Sequence, residues 1–411
     1  MFAPAVLLKS LLVIGVSLPH SGALRTASLE AMYADDERPT PVIGRQERPE
    51  LTPVSFGYRM AIPSRHLGET RDVLIWLPKS YEMEGASTAR YPVLYVLDGE
   101  SYFEPYAGMV RYLSMYDLTP ELIVVAVPHR DRMAELTFTA ANAEYGDWPT
   151  SGHAESLQRF LEEELVPTID GTFRTYPFRI LAGHSLGGLF AVESMRRSPD
   201  LFQATIALSP SFAWNQFEWL RASGAMFDNR ANWRHSLFIS MEPRDEETDR
   251  RLAEFGALVE ARAPTAFEYE LRTYPGESHT SVGFVGLLGS LRRLYAGWTL
   301  EEEWWTLGPE RVEAHFRELS ERFGYDVPIP EADLVGHALH GLVGHDAPDE
   351  AILLLELCLK LYPRSADALE GLGEAYEAKG DSGRARQYYL RALEVDPKHE
   401  TARRRLAAIG G

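Results

Sequence analysis

The sequence predicts an α/β fold: a doubly wound, mostly parallel sheet with helices on both faces, followed by a small all-α region. Three observations predict it. Residues 91–97 and 122–127 are unbroken apolar runs with β-branched side chains, the pattern of strands buried on both faces of a parallel sheet. Further short apolar runs at 179–182, 204–208, 236–240 and 267–271 alternate with helix-period stretches such as 154–169. From residue 331 onward the strand signals cease, and the chain matches itself at a shift of 34 residues.

A length of 411 residues with 45% apolar and 11% aromatic side chains suits a large domain with an appendage and a sizeable core. The net charge of −19 argues against a nucleic-acid partner, which needs basic patches. It bears on solubility rather than on fold. The one cysteine, Cys358, permits neither an intramolecular disulfide nor a cysteine metal site. It lies in the apolar helical stretch 352–359 and reads as buried filler, not as a nucleophile.

At the N-terminus, Lys9 precedes an apolar run at 11–18, and Ser21, Gly22 and Ala23 offer small residues for cleavage. Residues 1–23 therefore read as a secretory signal peptide, too short to span a bilayer, and the expected location is secreted or periplasmic. Residues 24–51 are polar, with Pro39, Pro41 and Pro49, and read as a linker or leader. The sheet domain is expected over 52–300. It opens with a hairpin pair, 54–62 and 72–77, and continues through the parallel strands already named. A helical connector is expected over 301–330, and helical repeats over 331–411. Within these, Pro363 falls on Pro397, Ala351 on Ala385 and Leu359 on Leu393, so 331–364 and 365–398 read as two helix–turn–helix units of tetratricopeptide length. Residues 399–409 would cap them. Two units are fewer than usually stand alone, so they are expected to pack on the sheet domain or on another chain.

Residues 178–188 carry the strongest chemical signal. They contain G-x-S-x-G centred on Ser185, with an apolar run before it and a helix-like stretch after it. A strand–turn–helix of this kind presents a serine hydroxyl on a corner so tight that only small residues, here Gly183 and Gly187, fit beside it. The helix that follows points free amides at the serine. A serine hydroxyl needs a base within reach and a third group to orient that base. In the chain order this elbow uses, the base follows the last strand, where His279 stands in the loop after Thr273. His184 is expected to point away from Ser185 and to be structural. The acid is expected after the 236–241 strand, in a loop crowded with carboxylates; Asp245 is the first choice, Glu242 and Glu246 the alternatives, and a serine–histidine dyad is a further possibility. The two oxyanion donors are expected to be the amides of Leu186, after the nucleophile, and of Glu100, in the loop after the 91–97 strand.

The segments 91–100, 180–188, 207–211 with Trp214, and 274–279 together resemble the esterase D or enterochelin-esterase-like family of α/β-hydrolases, over roughly residues 52–298. The resemblance implies an α/β-hydrolase sheet, Ser185 as nucleophile, His279 as base, and an oxyanion hole from the amides after Gly99 and after Ser185. The chain is similar to a bacterial subset that carries a tetratricopeptide-like tail. It departs from the family at His129, where Asn is usual, at Ala134 and Glu135, and in the loop after Met241, which lacks the usual Gly followed by an isolated acid.

These readings converge on a serine carboxylic-ester hydrolase working through an acyl-enzyme and needing no metal or organic cofactor. The expected partner is a small-molecule ester, such as a siderophore lactone or an aromatic acyl ester. A protein partner could dock on the tail, while no nucleic acid and no membrane span is expected. The substrate-binding candidates are Tyr102, His129 and Trp214, with Phe103, Tyr106, Trp148 and Phe212 as further pocket candidates. Arg130, Arg132 and Arg244 could meet an anionic substrate. The alternatives are an interaction protein with a vestigial hydrolase domain, or an acyltransferase using the same residues.

Overall fold

The computed structural model describes residues 52, 54–83, 88–142, 146 and 148–409. The signal-peptide and leader readings fall on residues 1–51, outside the described residues. The chain divides into two units, Met1–Val54 and Ser55–Gly411, and the second holds both the sheet and the helical tail.

Eight strands form one sheet: β1 (Tyr58–Ser64), β2 (Glu69–Trp76), β3 (Tyr91–Leu97), β4 (Ile123–Val127), β5 (Thr175–His184), β6 (Ala204–Leu208), β7 (His235–Met241) and β8 (Phe267–Thr273). Their order is β1-β2-β4-β3-β5-β6-β7-β8. The β1/β2 and β2/β4 pairs are antiparallel and all others parallel. Every residue of β3, β4 and β6 is buried, which explains why their sequences are apolar without alternation. The chain leaves β3 to one side for β4 and returns to the other for β5. The C-terminal ends of β3 and β5 therefore flank the switch point where doubly wound sheets open a crevice.

Among the described residues ten α-helices belong to the sheet region and its connector: α1 (Gly99–Met115), α2 (Arg132–Leu136), α3 (Ala154–Phe160), α4 (Val166–Thr172), α5 (Leu186–Arg197), α6 (Glu218–Ala222), α7 (Glu246–Arg262), α8 (Val282–Leu294), α9 (Trp304–Leu307) and α10 (Pro309–Phe323). One apolar core lies between the sheet and α3, α5 and α7; the other lies under α1 and α8 and continues into the tail. The tail comprises two helical hairpins, α11 (Glu331–His345) with α12 (Pro348–Leu361) and α13 (Ala366–Ala378) with α14 (Ser382–Val395), then α15 (Glu400–Ile409).

The connector ties the tail to the sheet through aromatic stacking. Tyr325 lies 4.0 Å from Tyr176 between ring centroids, and Phe323 lies 5.2 Å from Phe178, both partners being on β5. Burying such rings is worth more than their area alone. Cys358 is fully buried in α12, and burial pushes its thiol up to about 11, as suits an inert filler. Among the described residues no helix is long and apolar enough to cross a membrane.

Candidate active site

Ser185 sits between β5 and α5 with φ 59°, a left-handed conformation costly for a side-chain-bearing residue. Sterics explain the glycines around it. A Cβ at Gly183 would lie 2.2 Å from the Gly187 carbonyl oxygen, and one at Gly188 would lie 3.1 Å from Pro210 Cα. The turn is held by its own backbone: Ser185 N donates to Leu208 O at 2.9 Å, and Ser211 N donates to Ser185 O at 3.0 Å.

His279 follows β8 and brings Nε2 to 3.0 Å from Ser185 Oγ. For Nε2 to accept the hydroxyl proton, Nδ1 must carry a hydrogen. Two acceptors face it, Ser209 Oγ at 2.7 Å and Glu242 Oε1 at 3.1 Å. Arg244 completes the cluster, donating from Nη2 to Ser209 Oγ at 2.7 Å and lying 2.8 Å from Glu242 Oε1. Burial alone would raise the Glu242 carboxyl. The Ser209 hydroxyl and the Arg244 guanidinium outweigh burial and hold it below the usual carboxylate range.

The expectation of Asp245 as the acid is corrected. Asp245 is exposed and caps α7, its carboxylate accepting from Thr248 N at 2.9 Å. That is the ordinary work of an aspartate ahead of a helix. Glu246 lies exposed in the first turn of the same helix. Glu242, the residue directly after β7, has a buried side chain and is the carboxylate at Nδ1.

The amides of Leu186 and Glu100 belong to the first turns of α5 and α1, where backbone donors lack helical acceptors. The two turns are close: a Cβ on Gly187 would lie 3.1 Å from Asp98 Oδ2 and 3.4 Å from Leu97 Cβ. Arg132 binds them together, with Nε to Asp98 Oδ1 at 2.6 Å, Nη2 to Asp98 Oδ2 at 3.0 Å, and Nη2 to His184 O at 3.1 Å. A bidentate guanidinium of this kind fixes geometry and neutralises a carboxylate that would otherwise repel an oxyanion.

The substrate-binding expectations divide. Tyr102 is half-buried beside the site, stacked on Tyr106 at 4.9 Å and facing the His184 ring at 5.7 Å. His129 does not line a pocket; its side chain is 1% exposed and Nδ1 is 2.8 Å from Glu135 Oε2. Glu135 in turn takes both Arg71 nitrogens at 2.9 Å. Trp214 is 4% exposed, with Nε1 donating to Thr139 Oγ1 at 3.3 Å, and is core. Phe103, Tyr106 and Phe212 are likewise buried, while Trp148 is exposed. Arg130 pairs with Glu69 at 2.8 Å.

Sequence reasoning missed Ser209 and Ser211. Ser211 Oγ lies 3.1 Å from Ser185 Oγ. Both stand in the Ser-Pro-Ser stretch that carries part of the family resemblance, a signal of position without role. Arg244 was read for substrate and instead faces the acid.

Comparison with known proteins follows from this geometry. Residues 64–263 match the family described as "Putative esterase", and residues 366–399 match the tetratricopeptide repeat. The chain is 35% identical over 145 residues to the ferri-bacillibactin esterase BesA of Bacillus subtilis, a match covering 31% of this chain and 50% of that protein. The chain thus spans about half the length of that relative. It is 24% identical over 272 residues to a siderophore triacetylfusarinine C esterase of Aspergillus fumigatus, covering 57% of this chain and 92% of that protein. Among solved structures, an IroE-like serine hydrolase from Shewanella oneidensis is 26% identical with a TM-score of 0.64, covering 74% of this chain and 99% of that chain. Elbow, sheet order, family match and relatives agree: residues 64–263 carry an esterase-family domain of α/β-hydrolase fold, similar to enterochelin-type siderophore esterases, and the chain carries a C-terminal tetratricopeptide-type helical region.

Proposed function

We propose that the protein is a serine carboxylic-ester hydrolase that opens the ester linkages of siderophore-type substrates. The observation that carries this reading is the 3.0 Å approach of Ser185 Oγ to His279 Nε2 at a strained elbow. Ser185 attacks the acyl carbon while His279 takes its proton, and the tetrahedral oxyanion accepts from the amides of Leu186 and Glu100. The protonated His279 then gives its proton to the leaving alcohol, and an acyl-enzyme remains. Water deprotonated by His279 releases the acid and regenerates Ser185. Glu242 balances the imidazolium that forms at each step. Every proton lost by a nucleophile is returned to a leaving group, so the cycle balances without an external acid or base.

The siderophore class is supported by the two esterase relatives whose names state such substrates. It also suits a site with the base side chain 45% exposed, since a bulky substrate needs open approach. The apolar N-terminal run supports action outside the cytoplasm.

The test is hydrolysis of short p-nitrophenyl esters, then of ferri-bacillibactin and triacetylfusarinine C, by wild type, Ser185→Ala and His279→Ala. Ester cleavage by wild type with loss of at least about a thousandfold in each variant is expected. Cleavage that persists in Ser185→Ala overturns the mechanism. Cleavage of simple esters with neither siderophore touched overturns the substrate class alone.

A further inference from the structure

We propose that His184, the residue ahead of the nucleophile, is a positioning residue that fixes the loop carrying His279; this rests on the ester-hydrolase reading above. His184 Nε2 lies 2.6 Å from the main-chain oxygen of His279. A carbonyl oxygen only accepts, so Nε2 carries the hydrogen and the tautomer of His184 is set. The residue is 7% exposed. Its ring centroid lies 4.7 Å from that of His279 and 5.7 Å from that of Tyr102, so it is wedged between α1 and the loop of the base. Burial pushes its imidazole below the ordinary value, which keeps it neutral while it donates.

The loop needs such a hold. Between β8 and α8 it turns through Gly276, at φ 92°, and its internal bonds close only on itself: Glu277 N to Tyr274 O at 3.2 Å, Ser278 N to Ser281 Oγ at 2.8 Å, Val282 N to Ser278 O at 3.0 Å. Beside the contacts of the His279 ring with Ser185, Ser209, Glu242 and Arg244, two side chains hold main-chain oxygens of its far half and of the helix start that follows. One is Tyr106 OH donating to Gly283 O at 2.8 Å, and the other is the His184 bond to His279 itself. The second acts at the residue that matters, whose side chain is 45% exposed and is not held by packing. His184 is joined to Ser185 by one peptide bond. A single residue therefore links the nucleophile's backbone to the base's backbone, and the separation of Oγ from Nε2 is set along that short path. The absence of a side chain at Gly283 belongs to the same arrangement, because a Cβ there would press on His184 Cδ2 at 3.3 Å. No proton passes through His184.

The experiment compares His184→Gln, which keeps a side-chain N–H at similar reach, with His184→Phe, which keeps a flat ring and has no donor. Kinetics on p-nitrophenyl butyrate should show Gln within about fivefold of wild-type kcat and Phe lower by about a hundredfold, KM changing little in either, the loss expected for a catalytic group displaced by roughly 1 Å. Labelling by a fluorophosphonate should slow in parallel, and melting temperatures should not track the rates. Wild-type kcat in His184→Phe overturns the proposal, as does an equal loss in His184→Gln. A long-range proton–nitrogen NMR spectrum of wild type keeps the test independent of activity. It should show His184 as the Nε2–H tautomer, and an Nδ1–H pattern overturns the proposal. Inactivity of wild type on every ester with no fluorophosphonate labelling overturns the hydrolase reading instead, and leaves the NMR result to judge His184.

Discussion

Replacing Glu242 by Gln tests the electrostatics around the base. In the proposed mechanism His279 takes the serine proton, and the imidazolium forms with Glu242 Oε1 3.1 Å from Nδ1 and Arg244 Nη2 3.2 Å from the same atom. With roughly 4 Å between charge centres and an effective dielectric of about 20, the carboxylate favours the imidazolium by about 4 kcal/mol. The guanidinium opposes it, by less, because the Arg244 side chain is 30% exposed and that of Glu242 7%. Glu242→Gln removes the attraction and leaves the repulsion. The expected loss is about a thousandfold in kcat/KM, from about 4 kcal/mol. Arg244→Gln should stay within a few-fold of wild type or exceed it. The double variant should recover to about 10- to 100-fold below wild type, since the Ser209 hydroxyl at 2.7 Å still holds the ring. Asp245→Asn should be nearly silent, because Asn caps a helix as well as Asp. The assay is steady-state hydrolysis of p-nitrophenyl butyrate with single-turnover acylation. A loss in Asp245→Asn equal to that in Glu242→Gln refutes the assignment, and a double variant no better than Glu242→Gln refutes the charge balance.

Arg132→Ala should lower kcat by about 10- to 100-fold with a smaller change in KM, because it frees the buried Asp98 carboxylate beside the oxyanion turns; Arg132→Lys should recover part of it, and unchanged kcat would count against the brace. Glu135 is partly buried, which alone would raise its pKa, but His129 and Arg71 lower it from 4.5 to about 2. A depressed carboxylate stabilises above its unfolded value and loses that contribution as pH falls through its folded one. Urea unfolding of wild type against Glu135→Gln should therefore differ by about 3 kcal/mol near neutral pH and by about 1 kcal/mol near pH 3, and a gap that does not shrink would contradict the ion pair. Gly373→Val should lower the melting temperature and admit protease to the tail, by about 1–3 kcal/mol of overpacking, since a Cβ at Gly373 would lie 2.3 Å from the buried Tyr389 ring; unaltered stability would refute that contact.

The meeting of Ser185 and His279, the proposed nucleophile and base, was legible because local sterics and chain order constrain their positions. Ser185 needs the small neighbours that Gly183 and Gly187 supply, and those are visible as letters. His279 needs only to follow the last strand. The acid was not legible in the same way. Residues 242–249 hold several carboxylates, and although the strand end at Met241 was legible, Asp245 was favoured because it leaves residues for the chain to turn, whereas the residue directly after the strand is the one that reaches His279. One signal was present: Asp245 with Thr248 three residues on is the spacing of a helix cap, which removes Asp245 from the candidates. The aromatic candidates failed for a different reason. Whether Trp214 and Phe212 face a substrate or the core depends on long-range packing against Thr139 and Trp219, which no local pattern records. His129 likewise takes its place from Arg71, a residue of the distant hairpin.

A feature beyond the reach of the sequence unites the site. Three strands adjacent in the sheet, β3, β5 and β6, each run directly into a non-glycine residue of positive φ: Asp98 at 54°, Ser185 at 59° and Ser209 at 43°. Each such residue costs on the order of 1 kcal/mol, and the cost persists only where the surroundings impose it. Here they do. Arg132 clamps Asp98, the Leu208 and Ser211 backbones hold Ser185, and Ser209 N donates to Ser240 O at 2.7 Å. A left-handed residue at a strand end reverses the chain within one step. After Asp98 and Ser185 the next amides open α1 and α5 and lack helical acceptors, whereas after Ser209 comes Pro210, which has no amide hydrogen. Glycine would reach the same backbone without strain, but it could supply neither the carboxylate that Arg132 grips, nor the hydroxyl that attacks, nor the one that meets His279 Nδ1. The strain is therefore the consequence of placing a polar side chain of the site on a sharp turn, three times over, and an open helix-start amide beside it twice, along one edge of a sheet whose buried strands do not yield.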